Sequence, residues 1–276
     1  MLTKIYQAYY KQEQIPNLDP EFTPYDNTDN PVKNLYEHYI YHQVRKLSLA
    51  NNVDRWGVFS WRWKNKLQNV SAAEVLNLVN DAPQADVIIF NAYPSDELVA
   101  YNIWEQGSWH HPYIVTLGHK LLELMGEDPK LIYQPMDYTT YVAANYFVGT
   151  AKFWDGLLEF LDRYVAAIDL LDQEHKKMLH SNPRYDDPSL AYLDQYYPGL
   201  DYTGFICERL ISTYLLKMEN QLVIGVHHPG GHELGELKHT ACQQRNKELM
   251  LLWDDQRPAP PAPGTKIARE WIEKYF

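Results

Sequence analysis

The chain has few cysteines and no long apolar run. Of its 276 residues only Cys207 and Cys242 are cysteines, which excludes a disulfide scaffold and any zinc site built on cysteine. No apolar run reaches the roughly 18 residues that a membrane span needs, and Met1-Leu-Thr-Lys leads directly into a predicted strand. We therefore expect a protein of a reducing, cytoplasmic compartment with no transmembrane segment, and peripheral association with a membrane stays open.

Basic charge is also scarce. The 25 Lys and Arg against 36 Asp and Glu give a net charge of -11, which argues against nucleic-acid binding through phosphate neutralisation. The sequence contains no P-loop and no G-x-G-x-x-G, G-x-S-x-G or C-x-x-C motif. It therefore offers no motif evidence for nucleotide hydrolysis, Rossmann redox chemistry or esterase chemistry. The segment beginning at His232-Glu resembles a zincin helix, but Glu236 occupies the position of its second histidine.

Aromatic residues are abundant instead. The chain contains 22 Tyr and 8 Trp. Flat amphipathic rings stack on sugars and bases, so this excess favours a carbohydrate or nucleotide ligand. The same composition is typical of a tyrosine-rich core or of an interface between subunits, and this alternative stays open.

Strand and helix patterns alternate along the first ninety residues. Strands are predicted at 3–10, 54–63 and 86–90, with helices at 34–50, capped by Asn34, and after the capping box Ser71–Glu74. This order predicts an α/β fold with a Rossmann-like, largely parallel sheet flanked by helices. The segment 11–31 between the first strand and helix is rich in turn formers, and we expect no regular structure there.

The later pattern predicts helices at 114–125, 151–171 and 204–218 and strands at 140–148 and 222–226. A proline-rich spacer, Arg257 to Pro263, interrupts two further helical patterns near the C-terminus. We therefore divide the chain into a domain at 1–239 and a helical C-terminal extension at 240–276. The extension is expected to pack on the domain or on a partner, and a homo-oligomer stays open.

The first candidate binding group follows the strand at 54–63. Ser60, Trp61 and Arg62 stand at its carboxyl end, where ligands of open α/β sheets collect. A guanidinium between the indoles of Trp61 and Trp63 suits a phosphate or a sugar, since it offers paired donors and stacking. The alternative is an edge strand whose Arg62 lies along a neighbouring indole at the surface.

Further polar groups follow other elements. Asn91 and Asp96 come after the strand at 86–90, and the helix at 204–218 carries Glu208-Arg209 between apolar residues. The segment 101–111 mixes carboxylate, indole and imidazole in four candidate ligand contacts: Glu105, Trp109, His110 and His111. The alternatives are a Gly-broken helix end whose histidines satisfy backbone carbonyls and, for Glu208-Arg209, an internal ion pair.

Histidines also offer candidate ligands for a metal ion. Histidines gather after the last predicted strand, and His228 and His232 are candidate ligands. Imidazole beside carboxylate oxygens suits Mn²⁺, whereas Mg²⁺ prefers oxygen alone. No Asp-x-Asp stands at the end of a strand, so Mn²⁺ or Mg²⁺ as a cofactor is left open.

Several short motifs occur in an order that resembles a protein family. They are Tyr25-Asp-Asn-Thr28, Asn34 and Glu37 at a helix start, Trp56-Gly-Val-Phe-Ser-Trp-Arg62, Asp86-Val-Ile-Ile89, Asn145-Tyr-Phe-Val148 and Gly204-Phe-x-x-Glu-Arg-Leu210. The set resembles bacterial capsular and exopolysaccharide biosynthesis proteins regarded as glycosyltransferases of the GT-A type, over residues 3 to 226. Ser60 stands where that family tends to show His, so no role of that His carries over.

The resemblance implies a sugar transferase that takes a nucleotide-sugar donor over the carboxyl edge of the sheet and a glycan or lipid-linked acceptor. Such chemistry needs charge stabilisation for the departing diphosphate and, with inversion, a base. The expected roles are diphosphate binding by Arg62, base catalysis by Asp96, Glu105 or Glu208, leaving-group or acceptor contacts by His110 and His111, and base stacking by Tyr9 and Tyr10. The alternatives are a non-catalytic nucleotide or sugar-binding module and an oligomeric interaction protein of the same fold.

Overall fold

The fold is built around one six-stranded sheet. A computed structural model describes residues 1–32, 34–67, 70–92, 100–183 and 199–227. The strands are β1 Thr3–Tyr9, β2 Thr23–Asp26, β3 Arg55–Ser60, β4 Val87–Phe90, β5 Phe147–Thr150 and β6 Ile224–His227. They lie in the order β2-β1-β3-β5-β4-β6. The α/β class and the mostly parallel sheet are therefore confirmed.

The central strand β5 runs against its neighbours. It pairs antiparallel with β3 and with β4, whereas β1 pairs parallel with β2 and β3, and β4 pairs parallel with β6. The start of β5 consequently lies at the edge where the other strands end. Residues 144 to 146, which precede β5, are thereby brought beside the ends of β3 and β4.

Eight helices are found in the part of the chain that the structure describes. They are α1 Tyr36–Ala50, α2 Trp63–Lys66, α3 Ala72–Asp81, α4 Ile103–Ser108, α5 Ile114–Leu124, α6 Ala151–Leu170, α7 Gln173–Leu179 and α8 Tyr202–Met218. Two 3₁₀ segments, Gln12–Asn17 and Pro129–Tyr133, complete the set. None of the helices among these described residues is long and apolar enough to cross a membrane.

The helices form two layers of unequal size. The larger apolar cluster joins α1, α4, α5, α6 and α8 to one face of the sheet, and the smaller one joins α2 and α3 to the other face. In the larger cluster the Trp56 and Trp154 rings stack with their centroids 3.7 Å apart, and the Trp154 indole N–H donates to the Trp56 carbonyl over 2.8 Å. This contact fixes α6 against the middle of the sheet.

A buried arginine anchors the smaller layer. The Arg55 guanidinium, 2% exposed, donates to the carbonyls of Val79, Ala82, Pro83 and Ala85 over 2.5 to 3.0 Å. These acceptors lie at the C-terminal end of α3 and in the loop after it, where the last carbonyls of a helix have no partner within the helix. The capping box predicted at Ser71 and Glu74 is confirmed at the other end of the same helix.

Three sequence predictions of local structure are wrong. The segment 11–31 contains a 3₁₀ segment and strand β2, because β2 is stabilised by pairing with β1 and not by its own residues. Helix α1 begins at Tyr36, since the Asn34 side chain donates to Asp201 over 3.0 Å instead of capping. The strand predicted at 140–148 is confined to Phe147–Thr150 because Ala144 and Asn145 have left-handed backbones with φ of 66° and 55°. The predicted extension at 240–276 lies outside the described residues.

Gly57 allows the close approach of β3 and β5. A Cβ at this position would overlap the Phe147 carbonyl oxygen and lie 2.9 Å from the Val148 side chain. We expect Gly57→Ala to lower the free energy of unfolding by about 1 to 3 kcal/mol or more, because the strands must separate to admit the methyl group. Urea denaturation measures this change.

The matched control is Gly204→Ala in α8. There the added Cβ meets only the Asn34 carbonyl oxygen at 3.4 Å. We expect no loss, or a gain of up to about 1 kcal/mol, because alanine favours the helix. Equal destabilisation by the two substitutions would contradict the close approach at Gly57.

Candidate functional site

The candidate site lies where β1 and β3 end and β5 begins. Tyr10 follows β1, Trp61 follows β3, and the Trp61 amide donates to the Ala8 carbonyl over 2.9 Å, which holds the two strand ends together. Across the next pair of strands, the hydroxyls of Ser60 and Tyr146 lie 2.8 Å apart and share a hydrogen bond. The ends of β1 and β3 and the start of β5 therefore lie together at one edge of the sheet.

A strained turn precedes β5 at this edge. Ala144 and Asn145 both adopt left-handed backbones, which cost a non-glycine residue about 1 kcal/mol or more and persist only where contacts hold them. The Ala144 amide donates to a Glu208 carboxylate oxygen over 3.2 Å, and the buried Asn145 amide group donates to the Glu37 carboxyl group. Two carboxyl groups from different helices thus stabilise the turn.

Glu37 is a strongly perturbed group of the site. It stands in the first turn of α1, and Glu208 lies in α8. Burial and, second to it, the negative charge of Glu208 raise the pKa of Glu37 to about 8, against the opposing effects of Asn145 and Lys66. At neutral pH, Glu37 therefore holds a proton. Strong perturbation of this kind is characteristic of functional sites.

Buried groups form the floor beneath this pair. The Tyr41 phenol and the Cys207 thiol are 2% and 1% exposed, and burial is the first cause that raises their pKa values. The charge of Glu37 is the second cause for both, so both groups lie close to its carboxyl. Tyr10 contributes to the same shift of Tyr41 and so lies at this floor too. The carboxyl groups stand over a poorly solvated surface, where electrostatic interactions are strong.

Two cations stand at the edge. The Lys66 amino group lies 5.8 Å from the centroid of the Tyr146 ring and partly offsets the charge around Glu37. The exposed Arg62 guanidinium lies 5.5 Å from the Trp61 ring centroid. Trp63, only 1% exposed, packs on Phe22 and Phe59, so the predicted sandwich of Arg62 between two indoles does not form.

Arg209 is buried beside Glu208 and bonds to groups in the protein interior. It is 5% exposed, donates to the Phe205 carbonyl over 2.9 Å and to the Gln106 side chain over 3.2 Å, and lies 3.9 Å from Glu208. A Cβ on Gly107 would collide with the guanidinium. Burial lowers the pKa of Arg209. These contacts join α4 to α8, in keeping with the internal role left open by the sequence.

The aromatic segment 105–111 packs beside α8. The Glu105 carboxylate accepts the Tyr101 amide, and the His111 ring nitrogen bonds to the Pro183 carbonyl. The His111 ring centroid is 4.2 Å from that of Phe205. Trp109 is half-buried against the larger core and His110 is exposed. The described side-chain hydrogen bonds of Glu105 and His111 are with backbone groups of the protein.

The remaining predicted residues are placed as follows. Tyr9 bonds through its hydroxyl to Asp26, and this bond is the first cause that raises its pKa. Asn91 is fully buried, and its backbone N–H donates to the His227 carbonyl over 3.3 Å. Asp96, His228 and His232 lie outside the described residues, so their roles stay predictions, as does a Mn²⁺ or Mg²⁺ cofactor.

Sequence reasoning missed Glu37 and Lys66 as site residues and placed Asn145 in a strand. A signal for Glu37 was available. Position 37 shares one face of α1 with the buried Ile40, Tyr41 and Val44. A carboxyl group on a buried helical stripe is costly without a partner, so it indicates either a buried ion pair or a functional group.

Comparison with other proteins leaves this geometry as the only guide to function. No family model, no curated protein and no solved structure matches the chain. The resemblance to capsular and exopolysaccharide glycosyltransferases therefore stays a prediction that depends on the motif order alone.

The raised pKa of Glu37 predicts how stability varies with pH. Below its ordinary pKa of 4.5 both states hold the proton, whereas between 4.5 and about 8 the unfolded chain has released it and the folded protein has not. We therefore expect the free energy of unfolding to fall with rising pH across this window and to level off above it. Glu37→Gln should remove up to about 1.4 kcal/mol per pH unit of that slope, because the amide mimics the neutral acid.

Urea denaturation from pH 5 to pH 9, with EDTA present throughout, measures the two slopes. The exposed Glu13 provides the matched control, and Glu13→Gln should keep the wild-type slope. Parallel pH profiles for wild type and Glu37→Gln would show that Glu37 does not retain its proton in the folded state.

Proposed function

We propose that the protein is a GT-A-like sugar transferase, which moves a sugar from a nucleotide-sugar donor to a hydroxyl of a glycan or lipid-linked acceptor in surface polysaccharide biosynthesis. The observation that carries the proposal is the pair of carboxyl groups, Glu37 and Glu208, bound to the strained turn before β5. The pair stands at the sheet edge where parallel strands end, the usual ligand position in open α/β sheets. Lys66 and Arg62 add positive charge at the same edge.

In the proposed reaction, Glu208 accepts a proton, and Arg62 and Lys66 stabilise the leaving group. The bond between the anomeric carbon and a diphosphate oxygen breaks as a bond to the acceptor oxygen forms, through an oxocarbenium-like state. The acceptor proton passes to Glu208, whose side chain is 32% exposed and so reachable from solvent. The negative charge that develops on the diphosphate is stabilised by Arg62 and Lys66.

Glu37 is a positioning residue in this scheme. Its carboxyl group accepts from Asn145, and Asn145 fixes the backbone whose neighbouring Ala144 amide donates to Glu208. Because that amide bonds to one Glu208 oxygen, the carboxylate is held in one orientation. The second oxygen of Glu208 is the atom proposed to receive the proton. Positioning of a base within hydrogen-bond reach of its substrate is a large part of its effect.

The aromatic groups at the edge suit the donor. Tyr10 and Trp61 are both partly exposed beside the ends of β1 and β3. Partly exposed rings offer a face for stacking on a base or a sugar, and an arginine over an indole adds phosphate donors next to that face.

Arg62→Ala tests the donor site. We expect affinity for UDP or GDP to fall about tenfold or more, because a charge-assisted contact to phosphate is lost, while the exposed position leaves folding intact. Calorimetric titration with each nucleotide measures the affinity. The control is Arg45→Ala, which removes an arginine that pairs with Asp155 between α1 and α6. Equal affinity in wild type and Arg62→Ala would remove Arg62 from the site.

Glu208→Gln tests the base. The amide oxygen still accepts from Ala144, so the turn persists, but the proton acceptor is lost. We expect turnover to fall about 10²- to 10⁴-fold with donor affinity retained. Nucleotide release is measured over a panel of nucleotide sugars, with and without Mn²⁺, and the exposed Glu159→Gln is the control.

The same assay separates the alternatives. Tight nucleotide binding by the wild type without any turnover favours a non-catalytic binding module. Binding of no nucleotide would contradict both the transferase and the module. Turnover that survives Glu208→Gln would leave the transferase standing and overturn only the assignment of the base.

A further inference from the structure

A second cluster of chemically active side chains lies on the outer surface, between α1 and α6. The His38 and His42 Nε2 atoms lie 2.7 Å and 2.8 Å from the same oxygen of Asp162. The two imidazole rings are 4.6 Å apart between centroids. It is the one such trio of potential metal ligands among the residues that the structure describes.

The sequence spacing explains the cluster. Residues four apart on a helix lie on the same face, so His38 and His42 lie about one turn apart on one face of α1. Their face turns towards α6, where Asp162 projects from the facing helix. The side chains are 16%, 32% and 52% exposed for His38, His42 and Asp162, so one side of the trio is open to solvent.

We propose that His38, His42 and Asp162 form a binding site for a divalent transition-metal ion of the zinc class. Two imidazole nitrogens and one carboxylate oxygen are a ligand set that Zn²⁺ accepts, and solvent can supply the fourth position. Co²⁺ and Ni²⁺ favour imidazole in the same way, whereas Mg²⁺ and Ca²⁺ prefer oxygen ligands only.

The geometry is close to that of a bound ion. The three ligand atoms already lie within 4.8 Å of one another. Tetrahedral Zn²⁺ with bonds of about 2.0 to 2.1 Å separates its ligand atoms by about 3.3 Å. Each nitrogen–oxygen distance must therefore open by about half an ångström, which rotation of the exposed Asp162 side chain provides. Binding also requires an unprotonated Nε2 on each ring, so the ion displaces the Nε2 protons.

A neighbouring contact between the same helices shows how an ordinary ion pair differs. One turn along α1, Arg45 meets Asp155 of α6, and its Nε and Nη2 atoms lie 2.7 Å and 2.6 Å from the same carboxylate oxygen. Both donors there belong to one guanidinium, which has no lone pair to give to a metal ion. At the trio, by contrast, two imidazoles from different residues direct ring nitrogens at one carboxylate oxygen, and each of these nitrogens can act as a metal ligand.

The test uses the untagged full chain after chelator treatment and exchange into metal-free buffer. Calorimetric titration with Zn²⁺ gives stoichiometry and affinity, and Co²⁺ absorption in the visible range reports tetrahedral coordination. Two positions are varied, the partly exposed His42→Ala and the exposed Asp162→Asn, with circular dichroism as the check on folding. The first control is His175→Ala, since His175 also bonds an aspartate, Asp172, but belongs to no trio of potential metal ligands among the described residues. The second control, His228→Ala with His232→Ala, removes the competing histidines near the C-terminus.

We expect one Zn²⁺ per wild-type chain and a rise in its melting temperature with Zn²⁺. His42→Ala and Asp162→Asn should each weaken binding about a hundredfold or more, since loss of a direct ligand exceeds the loss caused by outer partners. Both controls should bind as the wild type does. The proposal is overturned if the wild type binds no Zn²⁺, if both trio variants bind it unchanged, or if only the His228/His232 variant loses it.

Discussion

The antiparallel course of β5 is the constraint on which the candidate site depends. Gly57 and Val148 are register partners, so the residues before β5 come to lie beside Ser60 at the end of β3. A parallel β5 would place Asn145 and Tyr146 at the opposite edge of the sheet. The Ser60–Tyr146 hydrogen bond and the turn bound by Glu37 and Glu208 would then not exist. The close packing of Gly57 on Phe147 is thus connected directly to the geometry of the site.

The sheet was largely predictable from sequence, and its central strand was not. Apolar runs and the capping box at Ser71 predict β3, α3 and β4 because each is determined by local burial and hydrogen bonding. The direction of β5 depends on pairing with two strands distant in sequence, and β2 depends on β1 in the same way. The left-handed backbone of Asn145 could not be predicted from sequence either, because the contacts that stabilise it come from helices α1 and α8.

The site was predictable only in part, for the same physical reason. Position alone indicates Ser60, Trp61 and Arg62, since they follow a strand that ends at the edge. Glu37 acquires its perturbed pKa first from burial and second from the charge of Glu208, 171 positions later in the chain, and no local pattern reports that neighbour. Asn145 and Lys66 likewise become site residues only through tertiary contacts with Glu37 and Tyr146.

The high aromatic content of the chain is weak evidence for a ligand, because most of the described tryptophans are buried. Four of the six tryptophans in the described residues are at most 2% exposed, namely Trp56, Trp63, Trp104 and Trp154. Two of them bond through their indole nitrogens to protein oxygens, so they are structural groups of the core. The half-exposed Trp61 is different, because it stands at the strand edge beside Arg62.

Helix α1 connects this edge to the outer surface, since Glu37 faces the turn while the adjacent His38 faces α6. An ion bound by His38, His42 and Asp162 would therefore hold the helix whose first turn carries Glu37.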